Sequence, residues 1–192
     1  MVMTPPAEAW LQTYLGRELR VPEFNEDAIT LEETATVLSR ICRFGGRVLV
    51  PYSVAEHSVR VAELVCRMGG SAVEQFVAIN HEIDEAILGF DPPAPLLRLL
   101  PDLRQLKEAA YRAGMRRYGL PEAMPEVVKH ADAVLLATEK RDLMREPPRK
   151  WQKLPDPLPD RIEPWTRGAP PRMRFRARWK VLAAAAGFEG EE

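Results

Sequence analysis

Cysteine is scarce in this chain of 192 residues, and long apolar runs are absent from it. Cys42 and Cys66 are too few for a disulfide framework, and their apolar, helical surroundings predict reduced thiols in the core. No stretch reaches the roughly 18 consecutive apolar residues that suggest a membrane-spanning helix. The first residues also lack the basic and then apolar pattern of a secretory signal. These absences predict a soluble, cytoplasmic protein with no membrane partner.

Net charge is nearly absent as well, because 27 lysines and arginines face 28 aspartates and glutamates, which leaves −1. Proteins that bind nucleic acid polymers usually carry a basic excess, so this composition argues against such a partner. The sequence contains neither an internal repeat nor a low-complexity tract. The length therefore predicts a single domain over 1–192 with a sizeable core.

Helical hydrophobic periodicity, by contrast, recurs along most of the chain. It predicts an all-α bundle of about six to seven helices, preceded by a short strand or helical turn within 10–15. The predicted helices cover 31–42, 53–68, 72–88, 101–118, a stretch that begins after Pro125, and 171–186. Ser53 and Ser71 are placed to cap two of these helices, while Thr30 and Glu33 fit a capping box in which Glu33 reaches back.

Proline is abundant, and eight of the 18 prolines lie within 145–171. Such a density disfavours regular structure, whereas Trp151 and Trp165 in the same segment suggest packing against the rest of the protein. We therefore predict a core over 30–142, an ordered proline-rich strap over 145–171 and a C-terminal helix over 171–186. The prolines of 91–95 likewise predict a non-helical exit from helix 72–88.

The stretch His81-Glu82-Ile83-Asp84-Glu85 places one imidazole and three carboxylates inside an apolar helical segment. Polar groups buried in this way cost free energy unless a partner offsets them. His81 and Glu85 are four residues apart and Glu82 and Glu85 are three apart, so these side chains would point into one region. A divalent cation is the simplest partner for such ligands. The alternative is the solvated acidic edge of an amphipathic helix.

Two further predicted helices each place a metal-ligand residue type among apolar neighbours. These residues are His57 on helix 53–68 and Asp132 on the helix after Pro125. A lone histidine on an apolar face is more often a satisfied core residue than a ligand. Three separate helices with the same anomaly favour one shared ion over three unrelated buried polar groups.

Several short motifs within residues 30–142 resemble those of the HD-domain phosphohydrolases. They are Arg43-Phe-Gly-Gly, Tyr52-Ser-Val-Ala-Glu-His-Ser, His81-Glu-Ile-Asp-Glu-Ala-Ile-Leu-Gly, Asp91-Pro-Pro-Ala-Pro, and Ala131-Asp followed by Ala137-Thr-Glu. The resemblance is to the small bacterial and phage branch that contains 5′-deoxynucleotidases and dATP triphosphohydrolases. It implies an all-α HD bundle that acts on small deoxynucleotides, located in the host cytoplasm if a phage encodes it. Family members assemble as dimers or hexamers, so the resemblance also implies a homo-oligomer.

The same resemblance implies one divalent metal ion, which could be Co²⁺, Mn²⁺, Zn²⁺ or Mg²⁺. The first histidine of the family corresponds to His57, its His-Asp doublet to His81 and Glu82, and its last aspartate to Asp132. The doublet therefore departs from the family pattern. Glutamate is one methylene longer than aspartate, so the ligand geometry or the choice of metal would change.

Glu85 corresponds to the catalytic carboxylate of the family. Asp91 corresponds to a further catalytic aspartate only if one residue is inserted, since Phe90 otherwise holds that place. Arg43 corresponds to the arginine that steadies the substrate phosphate, and Phe44 to the aromatic residue that contacts the sugar.

A lysine that often follows the proline turn in the family is replaced here by Leu97. Arg47 or Lys107 would be the substitute for its phosphate contact. The resemblance thus predicts a metal-dependent 5′-deoxynucleotidase, with a dNTP triphosphohydrolase as the alternative within the family. The alternative from another class is a lapsed module, marked by Glu82, that binds nucleotide or metal without turnover.

Overall fold

A computed structural model describes residues 9–151 and 153–189, and this part of the chain is mostly helical. The helices are α1 (Leu31–Arg40), α2 (Val54–Arg67), α3 (Ala72–Asn80), α4 (Ile83–Leu88), α5 (Ala94–Leu99), α6 (Pro101–Arg117), α7 (Glu126–Leu143) and α8 (Pro171–Ala185). The predicted all-α bundle is confirmed. Within the described ranges, no helix is both long and apolar enough to cross a membrane. The predicted lack of a signal concerns residues 1–8, which lie outside these ranges.

A small antiparallel hairpin precedes the bundle, so the strand was the correct alternative for residues 10–15. It consists of β1 (Trp10–Gln12) and β2 (Glu18–Arg20), with Leu11 opposite Leu19. Leu19 is buried and joins the core of the bundle, while β1 is exposed. Leu19 is therefore the strand residue that the hairpin contributes to the core, while the turn between the strands contacts Glu33 of α1.

Helix α2 lies at the centre of the bundle and packs against α1, α3, α7 and α8. Helix α4 packs mainly against α6. Four aromatic rings close the end formed by α3, α6 and α8, with centroids 5.0 to 6.1 Å apart. These rings belong to Phe76, Tyr118, Trp179 and Phe188, and their edge-to-face contacts favour one fixed packing arrangement.

The N-terminal caps of three helices agree with the sequence in part. The Ser53 hydroxyl accepts the N–H of Glu56 at 3.1 Å at the start of α2, and Ser71 forms a complete capping box at the start of α3. Thr30 caps α1 as predicted. The predicted return contact of Glu33 was wrong, because its carboxylate instead accepts the N–H of Tyr14 from the hairpin turn at 2.9 Å.

The predicted continuous helix over 72–88 was wrong, because the helix breaks at His81 and Glu82. In an unbroken helix the carbonyl of Ala78 would accept the N–H of residue 82. Here the Nδ1 of His81 lies 2.7 Å from that carbonyl oxygen and takes its place. The backbone of Glu82 then leaves helical geometry, with φ −108° and ψ 26°. Adjacent residues of a helix do not face each other, so the break is what lets both side chains point the same way.

The predicted non-helical exit from helix 72–88 is present at residues 90–93. A short helix that was not predicted, α5, then begins at Ala94 with Pro95 in its first turn, where proline lacks no needed hydrogen bond. The predicted core position of both cysteines was wrong. Cys66 is exposed on the outer face of α2 and is not a core residue, while Cys42 is partly buried and both thiols are free.

The strap has no helix or strand within 145–151 and 153–170, as predicted. Side chains of the bundle hold its backbone in place. The N–H of Leu158 donates to the hydroxyl of Thr138 at 2.9 Å, and the N–H of Ile162 donates to Asp142 at 2.8 Å. The N–H of Trp165 donates to the buried carboxylate of Glu56 at 3.0 Å. The strap is therefore an ordered layer over α2 and α7.

Close packing between α4 and α6 depends on Gly114. A Cβ atom at this position would lie 2.5 Å from Cγ2 of Ile83, a side chain that is fully buried. We expect Gly114→Ala to lower the free energy of unfolding by about 1–3 kcal/mol, because overpacking outweighs a gain in helix propensity of about 1 kcal/mol. Urea unfolding with EDTA present would measure it. In an Ile83→Ala background, where the clashing atoms are gone, the same substitution should cost nothing.

Candidate metal centre

Three segments bring four metal-ligand side chains together. They are His57 on α2, His81 and Glu82 at the break between α3 and α4, and Asp132 on α7, and one ligand atom of each lies within 4.8 Å of the others. The Nε2 atoms of His57 and His81 are 3.1 Å apart. Asp132 Oδ1 lies 3.2 Å from Nε2 of His57, and Glu82 Oε1 lies 3.7 Å from both Nε2 atoms. The structure thus joins the four residues that the sequence predicted as ligands.

The other nitrogen of each imidazole is already engaged. The Nδ1 of His81 contacts the carbonyl oxygen of Ala78, which can only accept, so this Nδ1 carries a hydrogen. The Nδ1 of His57 lies 2.6 Å from the carboxylate of Glu139 and donates to it. Both rings therefore turn Nε2 towards the carboxylates. Facing electron pairs at these distances require a positive charge between them, which is either a proton or a metal ion.

This group could hold a metal ion, because its donors fit one. Two imidazole nitrogens and two carboxylate oxygens form a four-ligand set of the kind that binds divalent metals. Both histidines are oriented from behind by an acceptor, an arrangement typical of metal-ligating histidines. Asp132 is the most exposed of the four, at 35% of its side chain, so the group opens towards solvent on the α7 side.

Glu139 is a member of the centre to which the sequence analysis gave no role. It is fully buried on α7, and its carboxylate binds Nδ1 of His57 and also Nη2 of Arg43 at 3.3 Å. Burial raises the pKa of Glu139, but His57 and Arg43 outweigh it and keep that pKa below its usual value. Glu139 follows Asp132 by two helical turns, so the same apolar stripe that indicated Asp132 also contained it.

Arg43 lies in a tight turn after α1 and is buried against the centre. Its Nη1 donates to Glu82 at 2.8 Å, and its Nε is buried without a partner among the described residues. The next residue, Phe44, has φ 57°, a left-handed conformation that is uncommon for a bulky residue. The N–H of Phe44 donates to Asp91 at 2.8 Å. Asp91 thus fixes the strained turn that presents Arg43, whereas Arg47 is exposed and donates to the Phe44 carbonyl.

Glu85 lies in α4, behind the ligand group, and is buried. Its Oε1 is 3.4 Å from the ammonium of Lys107, which also contacts Asp84, and its Oε2 has no partner within the described ranges. Burial and the charge of Glu82 raise the pKa of Glu85 well above its usual range, although Lys107 opposes them. Burial lowers the pKa of Lys107, but the three carboxylates around it have the larger effect, so its pKa is raised above the usual value. Lys107 therefore stays charged beside a carboxyl that holds a proton readily.

A cavity of about 590 Å³ lies beside the ligand group, between α4, α6 and the start of α7. Glu82 and Asp132 line its inner end, and α6 contributes Arg104, Lys107 and Arg112 to its wall. This volume falls within the roughly 300–1,000 Å³ of small-molecule sites. A ligand in this cavity would therefore contact three of the four metal-ligand side chains and a wall of mixed charge, to which Asp84, Glu108 and Glu122 also belong.

A proton on His57 offsets the carboxylates when no cation does. Burial and Arg43 lower the pKa of His57, but Glu139 and Asp132 outweigh them and raise it to about 9. Burial raises the pKa of Glu82, but His81, Lys107 and Arg43 outweigh it and lower that pKa to about 2. Near neutral pH a metal ion must therefore displace a proton from His57, while Glu82 is already ionised.

Metal binding is accordingly expected to weaken as the pH falls below about 9, by about tenfold per pH unit. The sign follows because His57 in the metal-free protein binds its proton more tightly at lower pH, and the metal competes with that proton. Calorimetric titration in two buffers of different ionisation enthalpy would count the released protons. An affinity that stays constant between about pH 6 and pH 8 would contradict this assignment.

No family model matches the chain. The Escherichia coli (strain K12) protein named uncharacterized protein YfdR is 38% identical over 135 residues, which are 70% of this chain and 72% of YfdR. The chain belongs to the YfdR family. An uncharacterized protein of Rhodobacter capsulatus is 30% identical over 128 residues, 64% of this chain and 65% of that protein. Neither name states an activity, so the argument about function rests on the centre itself.

Proposed function

We propose that this member of the YfdR family is an HD-domain phosphohydrolase that uses a divalent metal ion to hydrolyse the 5′-phosphate ester of deoxynucleoside monophosphates. The observation that carries the proposal is the ligand group of two oriented histidines and two carboxylates at the inner end of a cavity. The motif resemblance to the HD-domain phosphohydrolases supports the choice of reaction. The proposed ion is Co²⁺, Mn²⁺, Zn²⁺ or Mg²⁺, and the donor set suits more than one of them.

Phosphate esters are anionic and repel an attacking water, so hydrolysis needs both a stronger nucleophile and charge neutralisation. A bound divalent ion would supply both, by lowering the pKa of a coordinated water and by offsetting charge on the phosphoryl oxygens. We assign the proton of that water to Glu85. Its Oε2 is buried and has no partner among the residues described, and its raised pKa suits proton acceptance.

Arg43 is the residue we assign to the substrate phosphate. Each of its terminal nitrogens already donates to a carboxylate of the centre, while its Nε donates to no described residue. An arginine held in this way is oriented before the substrate arrives, so little rotamer entropy remains to be lost. Phe44 lies under the Arg43 guanidinium, with its ring 6.2 Å from that of Trp151, and we assign it to the sugar. Arg47 lies at the surface, and its contact with the substrate phosphate stays a prediction.

Three cationic side chains in the wall of the cavity favour a second candidate reaction. The loss of a lysine at position 97 pointed towards a monophosphate, since a triphosphate needs more positive charge. Arg104, Lys107 and Arg112 supply such charge in the same cavity. Asp84 partly neutralises Lys107, and Glu108 lies 3.7 Å from Arg104, so Arg112 is the strongest candidate. A dNTP triphosphohydrolase that releases intact triphosphate is therefore the second proposal.

The test is an incubation of EDTA-treated, metal-reconstituted protein with Co²⁺, Mn²⁺, Zn²⁺ or Mg²⁺ and a panel of dNMPs and dNTPs. Products would be separated by anion-exchange chromatography. Free phosphate from a dNMP supports the first proposal, and intact triphosphate together with a nucleoside supports the second. Nucleotide binding without turnover under every metal would overturn both and leave the lapsed module that the Glu82 departure allows.

A further inference from the structure

A second cavity, of about 490 Å³, lies where α2, α7, α8 and the strap meet. It shares no lining residue with the cavity of the metal centre. Its apolar surface comes from Leu135, Leu158 and Ile162, and most of its polar surface comes from arginine. The cavity therefore combines an apolar floor with a basic rim, and the metal centre makes no use of it.

Four arginines line this cavity against two acidic residues, Glu63 and Asp160. Of the four, only Arg60 has an ion-pair partner in the cavity's surroundings, since it donates to Glu56 at 2.8 Å and to the carbonyl of Glu163 at 2.7 Å. The remaining three are Arg67, Arg161 and Arg178, and none makes an ion pair or hydrogen bond with a described residue. No acid is therefore paired directly with them, although Arg141 and also the charge of Arg161 lower the pKa of Asp142.

Arg178 distinguishes this cavity from an ordinary solvated basic surface. Its side chain is only partly exposed, and its Nε is buried with no hydrogen-bond partner in the described part of the chain. A buried donor of this kind costs free energy until an acceptor arrives. Arg141, by comparison, donates from its Nε to Asp142 at 2.7 Å. An acceptor on a bound ligand would satisfy the Nε of Arg178.

We propose that this cavity binds a small ligand that carries two or more linked phosphoryl groups. The planar fork of arginine matches phosphate oxygens, and three unpaired guanidinium groups match several negative charges better than one. The volume lies within the range of small-molecule sites. The ligand would contact α2, α8 and the strap together. This proposal does not depend on the reaction proposed for the metal centre.

The first experiment titrates pyrophosphate into the EDTA-treated full-length chain by calorimetry at low salt. EDTA removes metal from the candidate centre, and a His57→Ala variant gives a second background in which that centre is disabled. Both backgrounds should retain saturable pyrophosphate binding. Arg67→Gln together with Arg178→Gln should weaken it by about tenfold or more, because two charge-assisted contacts are lost.

The matched control is Arg20→Gln with Arg98→Gln, which removes the same charge from two exposed arginines that line neither cavity. It should change the affinity by less than about twofold, the size expected from screened long-range charge alone. Thermal unfolding would confirm that each variant folds. If the double variant does not fold, the pyrophosphate affinity of Arg67→Gln alone tests the proposal, since Arg67 is exposed and its loss removes no buried contact.

A parallel titration with ADP distinguishes the two sources of a linked phosphate, which are a nucleotide and free pyrophosphate. Equal affinity for ADP and pyrophosphate supports recognition of the phosphate chain alone, and tighter binding of ADP supports a nucleotide whose nucleoside meets the apolar floor. The absence of saturable binding to the wild-type chain would overturn the proposal. So would an equal loss in the control variant, or a loss in the His57→Ala variant, which would place the anion at the metal centre.

Discussion

Glu85→Gln is expected to reduce turnover by about a hundredfold or more, the usual contribution of a general base, without removing the metal. The reason is that Glu85 lies behind the four ligand residues and is not one of them. Glutamine keeps the size of the side chain and its contact with Lys107 but cannot accept a proton. The measurement is the rate of phosphate release from the best dNMP, together with metal content by elemental analysis.

Glu126→Gln is the matched control for this prediction, because it removes one carboxylate from an exposed position at the start of α7. It should leave the rate unchanged. A Glu85→Gln variant with near-normal turnover would show that the proton goes elsewhere, and Asp91 would then be the next carboxylate to test. A variant that loses its metal would instead move Glu85 into the ligand set.

His57→Ala is expected to strip the ion from the centre, from about one per chain to nearly none after dialysis. The substitution removes one ligand and also the group that Glu139 orients, so the remaining donors no longer close around one point. Turnover should disappear with the metal. His130→Ala is the matched control, because the third histidine lies exposed on α7 and outside the ligand group.

Two measurements distinguish loss of the metal in His57→Ala from unfolding of the variant. Circular dichroism would show whether His57→Ala keeps its helices, and Glu139→Gln offers a milder change that leaves all four ligands in place. The milder variant should weaken metal binding by about 10–100-fold, the usual effect of losing a partner behind a ligand. Metal content that matches the wild type in His57→Ala would remove this residue from the centre.

Much of the centre could be predicted from sequence because burial made its residues conspicuous. His57 and Asp132 stood on apolar faces of separate helices, where an unpaired polar group is costly. Glu139 belonged to the same stripe of α7 as Asp132, but the stripe alone did not give it a role. A carboxylate two turns after Asp132 is equally compatible with a solvated position, and only the structure shows it beneath His57 and Arg43.

The break at His81 and Glu82 could not be predicted, because hydrophobic periodicity continues on both sides of it. It arises from a side-chain hydrogen bond to the carbonyl of Ala78, and periodicity carries no information about such a bond. The predicted return contact of Glu33 failed for a related reason, since its observed partner Tyr14 is far from it along the chain. In both places a specific polar contact overrode a local pattern that was otherwise sound.

The anchoring of the strap has a consequence for the order in which the chain assembles. The amides of Leu158, Ile162 and Trp165 find their acceptors on helices α2 and α7, so those acceptors must be in place before the strap can dock. We therefore expect the strap to become ordered after α2 and α7 and to detach before they unfold. In native-state hydrogen exchange these three amides should open together, with a free energy below that of global unfolding.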